Sequence, residues 1–278
     1  MTTTTTQSDR VREFQRLHES GCFMLPNPWN AGSARALAHM GFKAIATSSA
    51  GFAWSIGRMD GSITLDEVLA HLRDVSASVD IPVNADFEGG FAVEPDKVGE
   101  NVLAATRTGI AGLSIEDSVP RGDRSSSPLF EFSLAVERIK AARRAIDASG
   151  TGVILTGRSE GFIVGKPDLS ETIARLTAYA DAGADCLFAP GIHTADDIRA
   201  VVKALAPKPI NVVVGEGFTT LSELEQLGVR RISNGGSLAR TAWTGFLEAA
   251  REMAEQGTFN ALGRAVKSDA FAAMLEQD

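Results

Sequence analysis

The residues best suited to chemistry in this chain are acids at the ends of apolar runs. VNADFEGGF (83–91) puts Asp86 and Glu88 where a strand-like run gives way to glycines. GLSIED (112–117) ends on Glu116 and Asp117, and GVILTGR (152–158) ends on Arg158, with Glu160 close behind. Carboxylates gathered at one mouth repel one another unless a cation or a proton sits among them. Oxygen-only donors suit Mg²⁺, with Mn²⁺ as the alternative. An arginine beside them can fork onto a substrate carboxylate. The turn ATSSAG offers hydroxyl and backbone N–H groups of Ser48, Ser49 and Ala50 to a second anionic group. Asp60 stands further along that loop, and Asn27, Asn211 and Asn234 are the polar residues offered by three other runs. Asp117 reads equally well as the N-cap of a helix.

Something must bring these positions together. The apolar runs are 22–26, 43–48, 81–86, 112–117, 152–158, 185–190, 209–215 and 230–236, and amphipathic stretches separate them. Thr64 and Glu67 form a capping box, and Pro95 suits a first helical turn. Strand and helix alternating eight times predict a (β/α)8 TIM barrel, whose chemistry gathers at the C-terminal ends of the strands. The expected organisation is a disordered tail over 1–8 and one domain over 9–278. That domain includes an extra N-terminal helix and a C-terminal helical extension from about 256, which is expected to pack on a neighbouring subunit. His18, His39 and His71 fall in helices and read as surface residues, and His193 as part of a helix start.

Composition narrows the function. The net charge of −8 argues against nucleic acid and anionic membrane surfaces as partners, but not against a small anionic substrate. The chain shows neither a signal peptide nor an apolar run of membrane-spanning length. Cys22 and Cys186 sit in apolar surroundings with no metal or disulfide spacing, which fits buried thiols in a reducing cytoplasm.

Taken in order, LPNPWNAGSARAL, ATSSAG, IGRMDG, VNADFEGGF, GLSIED and TGRSEGF resemble the isocitrate lyase/phosphoenolpyruvate mutase superfamily over about residues 20–255. The resemblance implies a Mg²⁺-dependent barrel that makes or breaks C–C or P–C bonds through the enolate of a 2-oxo acid. It implies metal binding by Asp86 and Glu116, and an aspartate beside metal and substrate at Asp60. Arg158 would hold the substrate and enolate oxygen, and Ser48, Ser49 and Ala50 the carboxylate. It also implies exchange of the eighth helix between subunits of a homodimer or homotetramer.

The departures from the family pattern bear on the reaction. The family's Asp-x-Asp reads Asn84-Ala85-Asp86 here, and Glu88 can restore the missing charge at the metal. The loop EDSVPRGDRSSSPLFEF has neither the lyases' cysteine motif nor the phosphonate mutases' Lys and Asn; Arg121, Asp123 and Arg124 are its candidates as parts of a mobile lid. The expectation is a lyase cleaving a C–C bond of a small 2-oxo or 2-hydroxy di- or tricarboxylate. Arg158, Asp60 and Glu116 would be catalytic, and Asn211 and Asn234 would bind substrate. Oxaloacetate decarboxylation is the most economical version. The alternatives are a methylisocitrate- or dimethylmalate-type lyase, a phosphonate mutase or hydrolase, a phosphate-binding barrel using Gly235 and Gly236, and a degenerate barrel that binds a carboxylate without turnover.

Overall fold

The structure, a computed structural model, describes residues 5–120 and 128–275. Arg121, Asp123 and Arg124 lie outside the described residues. Eight short parallel strands form the expected barrel: β1 (Phe23–Leu25), β2 (Ile45–Ala46), β3 (Val83–Asp86), β4 (Gly112–Glu116), β5 (Ile154–Arg158), β6 (Cys186–Phe188), β7 (Ile210–Val213) and β8 (Arg231–Ser233). β2 to β8 each pair with their sequence neighbours, and β1 pairs with β8. The β1–β2 seam is closed by the Ala46 N–H donating to the Pro26 carbonyl at 3.0 Å. Strands covered on both faces read as continuous apolar runs, which is why they were visible in the sequence.

The helices that follow the strands are α2 (Ala31–His39), α3 (Ser49–Ser55), α4 (Leu65–Ala77), α5 (Pro95–Thr106), α6 (Phe132–Ser149), α7 (Leu169–Asp181), α8 (Ala195–Leu205), α9 (Leu221–Gln226) and α10 (Ser237–Gln256). Both expected start signals are present: the Thr64–Glu67 capping box opens α4, and Pro95 opens α5.

The termini correct one expectation and refine another. The first helix, α1 (Gln7–Glu19), begins inside the segment expected to be a tail. Thr6 is its N-cap, and a reciprocal bond from Asp9 makes local order favourable there. The C-terminal extension is broken into a 3₁₀ turn (Asn260–Arg264) and α11 (Ser268–Leu275), and Arg35 of α2 reaches the Leu275 carbonyl.

The upper barrel opens into the site, whereas α1 closes the floor. Phe14 is fully buried there, and the rings of Phe14, His18 and Phe23 meet edge to face. His18 is therefore interior, and so is His71, which stacks on Phe52 at 3.9 Å. Helical periodicity alone could not show which face these two histidines occupy. Burial, with Arg231 adding to it, lowers His18 to about 3, and burial lowers His71 to about 4, so both are neutral. The interior layer between floor and mouth is polar: Asn84, Ser114, Thr156, Asn211, Arg231 and Ser233 are all buried.

Candidate active site

At the C-terminal ends of β3, β4 and β5, one guanidinium faces several carboxylates. Arg158 Nη1 lies 3.2 Å from Asp86 Oδ1 and 3.3 Å from Glu116 Oε2, and Nε lies 2.6 Å from Glu160 Oε1. The Phe188 ring flanks the guanidinium at 5.2 Å. Burial opposes the charge on Arg158, but Glu160, Glu116 and Asp86 outweigh it and hold the group protonated. Among the described residues, no bond occupies its Nη2. That leaves one edge of the fork for a ligand.

A single cation cannot neutralise this many acids. Burial raises Glu116 to about 8; Arg158 pulls it back, while Glu160 and Asp86 push it further up. Glu88 is raised to about 7, first by burial, then by Asp86 and Asp60. Glu160 is also raised, again chiefly by burial.

Local structure explains why Glu88 faces this crowd. Its φ is +45°, and Phe91 has φ +57°. Left-handed backbone at residues other than glycine costs about 1 kcal/mol or more each and persists only where surroundings impose it. Here Arg138 of α6, itself buried, donates to the carbonyls of Gly89, Ala92 and Val93, and Asn101 of α5 donates to that of Gly90. The loop carrying Glu88 is thus clamped from the α5–α6 side.

Asp117 corrects the N-cap reading. It is buried: Oδ1 accepts the Glu160 backbone N–H at 2.7 Å, and Oδ2 accepts the Tyr179 hydroxyl at 2.7 Å and Arg175 Nη1 at 3.3 Å. It fixes the loop that carries Glu160, and Glu160 in turn orients Arg158. The N-cap of α6 is Glu131.

The β7–β8 wall of the cavity is neutral apart from one cation, and the β2 loops add hydroxyls, backbone N–H groups and Asp60. Ser48, Ser49, Ala50, Asp60 and Asn211 all line the cavity. The Ser49 N–H and hydroxyl both donate to Asp86 Oδ2, at 3.0 and 2.9 Å, and Ser48 Oγ accepts the Gly51 N–H. Asn211 uses Oδ1 on Arg231 and Nδ2 on Ser233. Asn234 departs from the substrate-binding expectation. Its Oδ1 accepts the Asn27 N–H while Asn27 Oδ1 accepts the N–H groups of Asn234 and Gly235, so the pair ties β8 to β1. Asn84 sits one layer below Asp86, with Oδ1 turned towards Gly112 and Phe14 and no hydrogen-bond partner. Arg231, which the sequence reading passed over, also lines the cavity. A cation two residues before a strand-end serine was its only signal.

The donors fit a hard cation held largely through water. They are all oxygens, and among the described residues no three acidic, histidine or cysteine side chains converge closely enough to bind one ion directly. Mg²⁺ keeps several waters and takes one or two carboxylates. Asp86 and Glu88 would hold it, with Glu116 and Asp60 reaching its waters. The cavity of about 230 Å³ admits a small di- or tricarboxylate but is below the usual range for drug-sized ligands and cofactors.

The family model described as phosphoenolpyruvate phosphomutase matches residues 14–254. A solved structure from Burkholderia cenocepacia J2315, provisionally described as a lyase/mutase, is 46% identical, with a TM-score of 0.91 and 95% of each chain covered. The 2-methylisocitrate lyase of Escherichia coli K12 is 30% identical over 71% of this chain and 67% of its own. The oxaloacetate decarboxylase of Bradyrhizobium sp. ORS 278 is 31% identical over 61% of this chain and 56% of its own.

Proposed function

The chain belongs to the phosphoenolpyruvate phosphomutase family, and from that premise we propose that it is a carbon–carbon lyase acting on a small 2-oxo or 2-hydroxy di- or tricarboxylate through an enolate, of the pyruvate type where a 2-oxo acid is decarboxylated. One observation carries the reading: Arg158 stands among Asp86, Glu116 and Glu160 with one edge of its guanidinium turned to no described partner. A fixed positive charge in a buried site stabilises the oxygen on which enolate charge develops.

The residues divide the work. Arg158 binds the 2-oxygen, and Glu160, held by Asp117, keeps its plane fixed. The Ala50 N–H and the Ser48–Ser49 turn face the 1-carboxylate. Mg²⁺, when bound, adds Lewis-acid polarisation of the same oxygens. Two reactions use this frame. In oxaloacetate decarboxylation the C3–C4 bond breaks, its electron pair enters the enolate and CO₂ leaves. In retro-aldol cleavage of a substituted malate a base takes the hydroxyl proton, the 2-oxygen becomes the pyruvate carbonyl as the C2–C3 bond breaks, the electron pair enters the enolate of the second carboxylate on the other fragment, and an acid protonates C3.

The test is pyruvate release from oxaloacetate, 2-methylisocitrate and 2,3-dimethylmalate with Mg²⁺ and with EDTA, beside Asp86→Ala. Turnover of one of them that is lost with Asp86 supports the reading; turnover equal in Asp86→Ala removes the site. The exposed apolar residues of α10, among them Trp243, Phe246 and Leu247, support a homo-oligomer built on that helix by a second copy of the chain. Trp243→Glu with Phe246→Glu should then give a monomer by light scattering.

A further inference from the structure

The cavity wall holds a second arginine that the enolate reading does not use. Arg231 is 2% exposed. Its partners are all neutral: Nε donates to Asn211 Oδ1 at 2.9 Å, Nη2 to Thr156 Oγ1 at 3.1 Å, and Nη1 faces His18 Nε2 at 3.4 Å. His18 Nδ1 lies 2.7 Å from the Phe14 carbonyl, so that nitrogen carries the proton and Nε2 accepts from Arg231. Among the described residues no carboxylate pairs with Arg231, although five acids lie on or beside the layer above. A buried guanidinium with no counter-ion is costly. A guanidinium has five N–H groups. Three are engaged, and the side chain forms part of the cavity surface together with Ser114 and Ser233.

We propose that Arg231 is the anchor for a second carboxylate of the substrate, placed beneath the enolate-binding layer. Its guanidinium is at the level of Thr156, two residues below Arg158 on β5, a rise of about 6–7 Å along a strand. The two cations therefore mark two depths of one cavity, and a short diacid bridges them. The neutral serines and amides between them offer hydrogen bonds without competing charge. The anchor also selects the reaction. A carboxylate gripped by a guanidinium is stabilised as it stands, and that interaction is lost if the group leaves as CO₂, so binding there opposes decarboxylation. The anchored carboxylate survives into a product. The substrate class is thus a 2-hydroxy or 2-oxo acid whose second carboxylate is retained when the C–C bond breaks.

This inference rests on the proposed enolate site, and one titration separates the two. Malate and 2-hydroxybutyrate differ by a carboxylate in place of a methyl group. By calorimetry with Mg²⁺ present, the wild type should bind malate at least about tenfold more tightly. Arg231→Met should reduce that ratio to about twofold or less with 2-hydroxybutyrate affinity unchanged, whereas Arg158→Ala should weaken both acids. Equal affinities in the wild type, or an equal loss of both acids in Arg231→Met, overturn the anchor and leave the enolate site standing. A wild type that binds neither acid overturns the enolate site and the anchor with it. Should Arg231→Met fail to fold, a crystal structure of the wild type with malate decides: a carboxylate on Arg231 supports the anchor, and a malate with both carboxylates at the mouth refutes it.

Discussion

Replacing Glu88 by glutamine should make the metal-free protein more stable, increasingly so as pH rises above about 4.5. The carboxyl is raised from 4.5 to about 7, chiefly by burial and then by Asp86 and Asp60. A carboxyl whose folded pKa lies above its unfolded value binds its proton more tightly in the folded state. Stability therefore falls as pH rises from about 4.5 to about 7, carrying the full penalty above about 7 and none below about 4.5. At about 1.4 kcal/mol per unit, the ionised Glu88 costs roughly 3 kcal/mol. Glutamine has the same shape and the same left-handed backbone, so the conformational strain is unchanged while the charge is removed. For a chain of this size about 2 °C of Tm accompanies each kcal/mol, so Glu88→Gln should melt about 6 °C higher at pH 8 in EDTA, and with the wild type at pH 4.5. Saturating Mg²⁺ should narrow the gap at pH 8, because the cation relieves the same repulsion. Melting curves that run parallel from pH 4.5 to 8.5 would refute the reasoning, since they would show Glu88 titrating as an ordinary carboxyl.

Other substitutions probe the supporting structure. Gly112→Ala places a Cβ 2.6 Å from both Asn84 Oδ1 and Phe14 Cε1, and should lower stability by about 1–3 kcal/mol in a urea melt. Tyr179→Phe removes one of the bonds that hold Asp117, a loss of about 1.5–3 kcal/mol for a hydrogen bond to a charged group, and should lower kcat/KM because the Glu160 loop loosens. Arg158→Lys keeps the charge but loses the planar fork, and should reduce kcat by about 10²–10³ while the fold, followed by circular dichroism, is retained.

The barrel was legible because its strands are short apolar runs of nearly uniform character and its helices announce their starts. Asp86, Glu116 and Arg158 were legible because each is the last residue of its barrel strand, at the end where such barrels open. What escaped depends on partners distant in sequence. Asp117 looks like a cap until Arg175 and Tyr179 are brought against it from α7. Asn234 looks like a ligand-binding amide until the closing of the barrel places Asn27 beside it. Arg231 looks like an ordinary surface charge next to Arg230, and only the pleat of β8 turns it inward.

The cavity is divided by strand. Arg158 and the acids around it come from β3 to β5, stiffened by Arg138 and Asp117, whereas Arg231 and its neutral partners come chiefly from β7 and β8. Inheritance can therefore act on the halves separately. Exchanges at positions 211, 213, 231 and 233 would alter which acid is admitted while the bond-breaking half stays as it was. A descendant of this chain could change its diet by a few codons late in the reading frame, without first losing the chemistry it already performs.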